Sequence, residues 1–207
     1  MTGEYDAILF DFDGVLVDSE PVHHAVWQQV LEPYSITLSW DDYQRRCIGV
    51  SDKEMILELC AIAGRPAAFD DLWNDYPRKR ALVRERMMHT PPSFADSIAL
   101  VHELAAHVPL AVVTSSARME VEPVLDRMGI SERFVTCVFG DEVKRLKPDP
   151  EPYATAAARL QVHRPLVIED SGAGCASAQA AGFDFVRVTA ASAVAREVRA
   201  FLSGRSG

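Results

Sequence analysis

Two aspartates near the start of the chain, Asp11 and Asp13, stand two residues apart directly after the apolar run Ala7–Phe10. Two carboxylates this close repel each other, and one of them resists ionisation unless a cation lies nearby. Mg²⁺ suits such a pair because it takes oxygen ligands and keeps several of its waters. Gly14 follows directly and would allow a sharp turn. Alone, the pair is a weak indication of a metal site, because solvated loop carboxylates are more common.

A hydroxyl follows a second apolar run, since Thr114 comes directly after Leu110–Val113. The Thr114 hydroxyl and the backbone amide of Ser115 could together hold a phosphate oxygen. Thr114 could instead cap a helix that begins near Arg118. The sequence leaves both interpretations open.

A lysine and two more acids complete the set of candidate groups. Lys147 precedes Pro148-Asp149-Pro150, whose rigid backbone would fix an ammonium group able to neutralise both a phosphate and Asp11. Glu169 and Asp170 end a third apolar run, and Asp170 would complete a magnesium shell. Each of these signals is modest alone, but three of the four groups directly follow an apolar run.

The elements that must position these groups are short strands separated by helices. Runs rich in branched residues predict buried strands, and they are Ala7–Phe10, Leu110–Val113, Leu166–Ile168, Val135–Phe139 and Phe185–Val188. Helical patterns lie between them, at Phe94–His107, Arg118–Met128, Pro152–Gln161 and Gly174–Ala181. This alternation predicts an α/β fold with a Rossmann-like parallel sheet, whose active site lies beyond the carboxyl ends of the strands.

A long helical stretch interrupts the alternation after the first strand. Helices are predicted there at Pro21–Leu31, Trp40–Cys47, Asp52–Ala63 and Phe69–Met88. We interpret residues 17–88 as an inserted all-helical cap domain, and residues 1–16 and 89–207 as the catalytic core. Ser51 and Glu54 have the spacing of a helix capping box, and the tail Ser203–Gly207 is expected to be disordered.

Composition excludes several classes of partner. The formal net charge of −9 argues against nucleic acid and against an anionic membrane surface. No apolar run reaches the ~18 residues of a membrane span, and the N-terminus lacks a secretory pattern. The four cysteines stand far apart and are expected to be reduced and mostly buried. We therefore expect a cytoplasmic protein that acts on a small molecule. The sequence carries no signal for the oligomeric state, and a monomer is the default expectation.

Taken together, four motifs resemble the haloacid dehalogenase-like hydrolase superfamily, in its branch with sugar phosphatases and β-phosphoglucomutase. The motifs are DFDGVLVDSE (11–20), VVTSS (112–116), KPDP (147–150) and VIEDSGAG (167–174), and they extend over nearly the whole chain. The resemblance implies a Rossmann-like core, a helical cap inserted after the first motif, and Mg²⁺ as cofactor.

The resemblance also implies roles for single residues. Asp11 would be the nucleophile that forms an aspartyl-phosphate, and Asp13 would protonate the leaving oxygen and then activate water. Thr114, Ser115 and Lys147 would hold the phosphoryl group. Mg²⁺ would be held by Asp11, the backbone carbonyl of Asp13 and Asp170, with Glu169 close by or acting through a water.

Asp13 and residues of the predicted cap indicate which of the family's activities this chain has. Dehalogenating members lack an aspartate two residues after the nucleophile, so Asp13 favours phosphate-ester hydrolysis. His23 matches a histidine that the mutase places near its acid/base aspartate, although it could equally be an ordinary polar residue of the first cap helix. Gly49 lies in a cap loop expected to reach the substrate. Lys79 could match a cap lysine of the family, but it stands in the run Arg78-Lys79-Arg80, which favours a solvated helix face.

Two alternatives to a phosphatase remain at the level of sequence. In the mutase an arginine that follows the cap-loop serine grips a second phosphate, but Asp52 stands there in this chain. Because a carboxylate cannot replace a guanidinium in binding phosphate, hydrolysis is favoured over a β-phosphoglucomutase activity. The other alternative, a non-catalytic binding protein with this fold, is disfavoured because no nucleophile or metal ligand is missing.

Overall fold

A computed structural model describes residues 4–48, 50–65 and 68–204, without the side chain of Asp52. The chain forms two compact units. The first contains the residues up to Asp18 and those from Pro91 onward, and the second is Ser19–Thr90. Calling the second unit a catalytic cap, with bounds at 17 and 88, remains a prediction.

The first unit is built on a five-stranded sheet in which every described strand pair is parallel. The strand order is β3-β2-β1-β4-β5. The strands are β1 Ala7–Phe10, β2 Leu110–Val113, β3 Thr136–Val138, β4 Pro165–Glu169 and β5 Asp184–Arg187. The predicted Rossmann-like α/β fold is confirmed, and β1 lies at the centre of the sheet.

The three central strands are buried along their whole length. Strands covered on both faces read as continuous apolar runs, which is why the sequence shows them clearly. In register, Ile8 of β1 lies opposite Leu110 of β2 and Leu166 of β4. Because the strands run the same way, the residues that follow β1, β2 and β4 emerge at the same edge of the sheet.

Nine α-helices are described, four in the second unit and five in the first. The second unit contains α1 Glu20–Leu31, α2 Trp40–Arg46, α3 Asp52–Ile62 and α4 Phe69–His89. The first unit contains α5 Ala95–Ala105, α6 Arg118–Met128, α7 Glu151–Leu160, α8 Gly172–Ala180 and α9 Val194–Gly204. None of the helices in the described ranges combines the length and apolarity needed to cross a lipid bilayer.

Helices α7 and α8 cover one face of the sheet. The buried cluster there joins Tyr153 and Ala156 of α7 and Ala178 of α8 to side chains of four strands. Its strand residues are Leu9, Ala111, Val113, Val138 and Val167. Tyr153 is a large polar aromatic held rigidly in this apolar layer, directly beneath the carboxyl ends of the strands.

The second unit has its own apolar core, centred on Trp27, Val30, Tyr43, Ile56 and Leu72. The predicted capping box is present at the start of α3, where the Ser51 hydroxyl accepts from Glu54 N and the Glu54 carboxylate accepts from Ser51 N. Two buried thiols, Cys47 and Cys60, lie in this core, and all four cysteines of the chain are free.

The C-terminal segment corrects one expectation. Ser203 and Gly204, predicted to be disordered, form the last turn of α9, and residues 205–207 lie outside the described range. Val194, Val198 and Leu202 repeat every four residues and are buried against the rest of the unit. This apolar spacing is helical, and the burial of its stripe stabilises the end of the chain.

Candidate functional site

The ends of β1, β2 and β4 bring the predicted groups together. Asp11 directly follows β1 and its amide donates to Ile168 O at 3.0 Å. Thr114 directly follows β2, and its amide donates to Val138 O at 3.0 Å. Glu169 is the last residue of β4. Asp11, Thr114 and Glu169 are all buried, so that polar groups converge at one dry edge of the sheet.

Lys147 lies at the centre of this cluster. Its Nζ donates to Asp11 Oδ1 at 2.7 Å, to Glu169 Oε1 at 2.6 Å and to Val113 O at 2.9 Å. An ammonium group has three N–H donors, so these bonds use all of them and fix the direction of the side chain. The predicted proximity of Lys147 to Asp11 is therefore present as a direct ion pair.

Charge and burial shape the protonation of this cluster. Burial raises the pKa of the Asp11 carboxyl well above its usual value, and the attraction of Lys147 only partly offsets it. Burial alone would lower the pKa of Lys147, but the charges of Asp11 and Glu169 outweigh it and raise that pKa. The ammonium thus stays charged, while Asp11 needs further positive charge nearby to ionise readily.

Asp170 forms the remaining side of the cluster. One carboxylate oxygen from each of Asp11, Glu169 and Asp170 lies within 4.8 Å of the others. Burial, and next the charge of Glu169, raise the pKa of Asp170 to about 6. Three carboxylates beside a single ammonium leave an excess of negative charge, and their hard oxygen donors fit a magnesium ion.

Gly14 shows how tightly this cluster is built. Its φ is +76°, and a Cβ placed on it would lie 2.2 Å from Asp170 Oδ2. Both the backbone conformation and the contact therefore require glycine. The turn after β1 and the carboxylate after β4 are in direct contact because Gly14 has no side chain.

Glu169 differs from its neighbours because both of its oxygens are already saturated with donors. Oε1 accepts from Lys147 Nζ and Tyr153 OH, and Oε2 accepts from the amides of Asp170 and Ser171 and from the Ser171 hydroxyl. Although burial opposes ionisation, the charge of Lys147 and the hydrogen bonds from Lys147 and Ser171 together outweigh it and lower the pKa of Glu169. These contacts favour Glu169 as a partner of Lys147 and not as a direct metal ligand. Its predicted metal role stays a prediction.

Asp13 is held by a hydroxyl from the loop after β2. Ser116 Oγ donates to Asp13 Oδ2 at 2.8 Å, and Ser116 N donates to Thr114 Oγ1 at 3.0 Å. Thr114 therefore shapes this loop, while Ala117 occupies the N-cap position of α6. Gly140 packs behind the loop, because a Cβ there would lie 2.0 Å from Ser115 O. The predicted binding groups Thr114 and Ser115 thus stand in a firmly supported turn.

The predicted substrate contacts of the second unit are only partly described. His23 Nδ1 lies 2.9 Å from Lys79 Nζ, and that ammonium also stands over the Trp27 ring, 5.3 Å from its centroid. Lys79 is 2% exposed, so its assignment to a solvated helix face was wrong. Gly49 lies outside the described residues, and substrate contact by it and His23 stays a prediction.

Tyr153 and Ser116 were not among the predicted site residues. Ser116 lies inside the second motif, and its serine side chain was the available signal. Tyr153 follows the KPDP motif closely, but only the fold shows that its hydroxyl donates to Glu169 Oε1 at 3.0 Å. Burial, followed by the charge of Glu169, raises the pKa of Tyr153 well above its ordinary value, so this hydroxyl remains a donor.

Comparison with known proteins places this geometry in a family. Residues 8–188 match the model of the haloacid dehalogenase-like hydrolases. A phosphorylated carbohydrates phosphatase from Thermotoga maritima is 30% identical over 86% of this chain and 82% of its own length. A β-phosphoglucomutase from Bacillus subtilis is 25% identical over 88% of this chain and 82% of its own length.

A solved structure extends the comparison to three dimensions. A haloacid dehalogenase family hydrolase from Deinococcus radiodurans, crystallised with bound phosphate and sodium, superimposes with a TM-score of 0.75 at 27% identity. The match covers 98% of this chain and 97% of that one. The chain therefore belongs to the haloacid dehalogenase-like hydrolases, in the branch of that family that holds the sugar phosphatases and β-phosphoglucomutase.

Proposed function

We propose that the protein is a magnesium-dependent phosphatase that hydrolyses a small phosphate ester, a sugar or polyol phosphate, through an aspartyl-phosphate on Asp11. The observation that carries the proposal is the buried ion pair of Lys147 and Asp11, with Asp13 two residues further on. The relationship to a carbohydrate phosphatase supports the substrate class.

Asp11 and Asp13 divide the chemistry between them. An Asp11 carboxylate oxygen attacks phosphorus, and the bond from phosphorus to the ester oxygen breaks. Asp13 gives that leaving oxygen its proton and then takes a proton from the water that cleaves the aspartyl-phosphate. The hydroxyl of Ser116, 2.8 Å from Asp13 Oδ2, holds the carboxylate in place for both transfers.

Positive charge is the second requirement of phosphoryl transfer. Lys147 stays protonated between Asp11 and Glu169, where it can neutralise charge that develops on the phosphoryl oxygens. Asp11, Asp170 and the backbone carbonyl of Asp13 would hold Mg²⁺, with Glu169 behind them. When bound, the ion supplies charge neutralisation and orients the phosphoryl group. The turn formed by Thr114 and Ser115 would hold a phosphoryl oxygen.

The second candidate function is a sugar-phosphate mutase, which the similarity to a β-phosphoglucomutase favours. A mutase must retain a bisphosphate intermediate and therefore needs a second phosphate clamp. Asp52 stands where the resemblance predicts an arginine for that clamp, and its negative charge repels phosphate. We therefore place hydrolysis first. His23 and Gly49 are proposed as substrate contacts, and a cytoplasmic monomer remains our expectation.

Phosphate release tests the proposed function. The purified protein is incubated with p-nitrophenyl phosphate and with a panel of sugar phosphates, polyol phosphates and nucleotides, with Mg²⁺ or with EDTA. We expect Mg²⁺-dependent release that Asp11→Asn abolishes, because a neutral amide cannot attack phosphorus. Asp13→Asn should lower kcat on the order of 10²–10⁴-fold, which is the usual contribution of a positioned acid and base.

Two outcomes would overturn this assignment. Absence of metal-dependent release on every substrate of the panel would refute the enzyme proposal and favour a binding protein. Interconversion of β-glucose 1-phosphate and glucose 6-phosphate without net release of phosphate would replace the phosphatase with the mutase.

A further inference from the structure

The direction of the Lys147 side chain depends on Glu169, because three acceptors share its ammonium group. Two of them, Asp11 Oδ1 at 2.7 Å and Glu169 Oε1 at 2.6 Å, are carboxylates that compete for the same cation. A small shift of Glu169 Oε1 therefore changes how closely the ammonium approaches Asp11. The position of this one oxygen matters for the charge at the nucleophile.

Glu169 Oε1 is fixed by a second donor, the hydroxyl of Tyr153, at 3.0 Å. The Tyr153 ring is fully buried in the layer formed by α7 and the sheet. The same ring lies under the lysine, with Nζ 4.8 Å from its centroid. Tyr153 thus contacts both members of the Glu169–Lys147 pair.

Gly174 closes the opposite side of Glu169. A Cβ on this residue would lie 1.7 Å from Glu169 Oε1 and 2.4 Å from Oε2. Gly172, in the first turn of the same helix, has nothing within 4 Å of the corresponding Cβ position. The carboxylate therefore sits in a fitted space between α8 and the Tyr153 hydroxyl.

We propose that Tyr153 is a positioning residue, whose hydroxyl holds Glu169 Oε1 so that Lys147 stays directed at Asp11. Without the hydroxyl, Oε1 keeps only Lys147 as its donor. The ion pair between them then strengthens and draws Nζ away from Asp11 Oδ1. The inference rests on the proposed function, since it concerns the lysine that would neutralise the phosphoryl group.

Tyr153→Phe tests this directly, because it keeps the buried ring and removes only the hydroxyl. Tyr5→Phe is the matched control, since Tyr5 OH also donates to a carboxylate of the same unit, Asp184 Oδ2, at 3.0 Å. We expect Tyr153→Phe to lower kcat by about tenfold to hundredfold, the range for loss of a hydrogen bond to a charged group. Tyr5→Phe should leave kcat within about twofold of the parent.

Two binding measurements separate positioning from a general structural effect. Calorimetry with Mg²⁺ alone should give the same Kd for Tyr153→Phe and the parent, because no proposed metal ligand changes. Titration with inorganic phosphate in the presence of Mg²⁺ should show weaker binding by about the same factor as kcat, because Lys147 faces the phosphoryl site. If Tyr153 had only a structural role, Tyr153→Phe would lower the Tm, the Mg²⁺ affinity and kcat together.

A second pair of variants approaches Glu169 from the other side. Gly174→Ala should displace Glu169 and lower kcat at least as much as Tyr153→Phe, whereas Gly172→Ala on the same helix should leave kcat unchanged. Turnover by Tyr153→Phe at the level of Tyr5→Phe would overturn the inference, and so would a parallel loss of Mg²⁺ affinity. If the parent protein itself shows no turnover, the proposed function fails first and the inference falls with it.

Discussion

At the residue scale, two buried polar groups at the centre of the site, Lys147 and Glu169, use their full hydrogen-bonding capacity. Lys147 uses three donors, and Glu169 accepts from five. Buried polar groups that are fully paired stabilise one arrangement, because any displacement leaves an unsatisfied group in a dry environment. Phosphoryl transfer benefits from this rigidity, since its catalysis depends on positioning and charge.

The Ser116 hydroxyl tests whether this rigidity matters for proton transfer by Asp13, the proposed acid and base. Ser116→Ala removes the donor 2.8 Å from Asp13 Oδ2, so the carboxylate should sample other rotamers. We expect kcat to fall by about threefold to tenfold with little change in KM, because the missing bond affects proton transfer more than binding. Steady-state kinetics on the best substrate of the panel provides the measurement.

Ser97→Ala serves as the control for Ser116→Ala. Ser97 is buried in the same unit, and its hydroxyl donates to Ala191 O at 3.4 Å, away from the strand ends. The control should keep the parent kcat. Equal kcat values for the two variants would show that the contact between Ser116 and Asp13 has no catalytic role.

At the scale of elements, the site depends on close approach between loops at the sheet edge. The turn after β1 meets the carboxylate after β4, and the loop after β3 meets the loop after β2. Gly14 and Gly140 make these approaches possible, since a Cβ on either would lie about 2 Å from the opposing atom. At Gly140 the opposing atom is backbone, so the loop itself would have to move, whereas at Gly14 a Cβ would displace the Asp170 side chain.

Gly14→Ala should separate backbone strain from damage to the metal site. Gly182 is the matched control, because its φ is +79° but nothing lies within 4 Å of its Cβ position. Both alanine variants should lose about 1–3 kcal/mol of unfolding free energy, the cost of a side chain in left-handed backbone. Only Gly14→Ala should also weaken Mg²⁺ binding, by about tenfold or more, because its Cβ displaces Asp170.

Denaturant unfolding and Mg²⁺ calorimetry on the two glycine variants give the result. Equal Mg²⁺ affinity in Gly14→Ala and Gly182→Ala would show that Asp170 is not held by this contact. Weak Mg²⁺ binding in both would point to a general loss of folded structure.

The elements also show what the sequence could predict. Buried strands such as Leu110–Val113 were found with their bounds, because a strand covered on both faces is apolar throughout. The edge strand β3 was placed less accurately, at Val135–Phe139 instead of Thr136–Val138. Edge strands contact fewer neighbours, so their sequences carry a weaker apolar signal.

Long-range packing explains the remaining differences between the sequence predictions and the structure. Lys79 stands in a run of three basic residues that is typical of solvated helices, and only the packing of α4 against α1 buries it beside Trp27. The interaction of Tyr153 with Glu169 likewise joins two elements and has no local pattern. Asp11, Lys147 and Asp170 each lie within a recognisable motif, and the structure brings them into one cluster, while their catalytic and metal-binding roles stay predictions.

At the scale of the whole molecule, the net charge of −9 opposes binding of the anionic substrate that we propose. The local cluster does not reverse this charge on its own, because Lys147 faces the three carboxylates of Asp11, Glu169 and Asp170. A divalent cation bound there would make the site positive while the rest of the surface stays acidic. The same reasoning predicts that the cation stabilises the fold in a manner that depends on pH.

The direction of this dependence follows from the shifted carboxyls. The folded-state pKa of Asp170 is raised to about 6, so its contribution to stability is complete below its unfolded value near 3.8 and is lost as pH rises through about 6. Asp11 is shifted in the same direction. Glu169 is shifted downward, so its contribution changes only below about its ordinary value of 4.5. Between about pH 4 and pH 6, the metal-free protein should therefore lose stability from Asp170, and Asp11 adds a loss in the same direction as pH rises.

Mg²⁺ should restore this lost stability, because the cation replaces the protons that the two carboxyls give up. We expect the increase in Tm on adding saturating Mg²⁺ to be larger at about pH 8 than at about pH 5, since fewer protons compete at the higher pH. Thermal unfolding with Mg²⁺ or with EDTA at both pH values measures it. Asp170→Asn should reduce the difference between the two pH values, leaving the part that Asp11 contributes, whereas Asp184→Asn, at the hydrogen bond to Tyr5, should preserve it. A Tm increase that is equal at both pH values, or larger at the lower one, would show that Asp11 and Asp170 do not exchange protons for the metal.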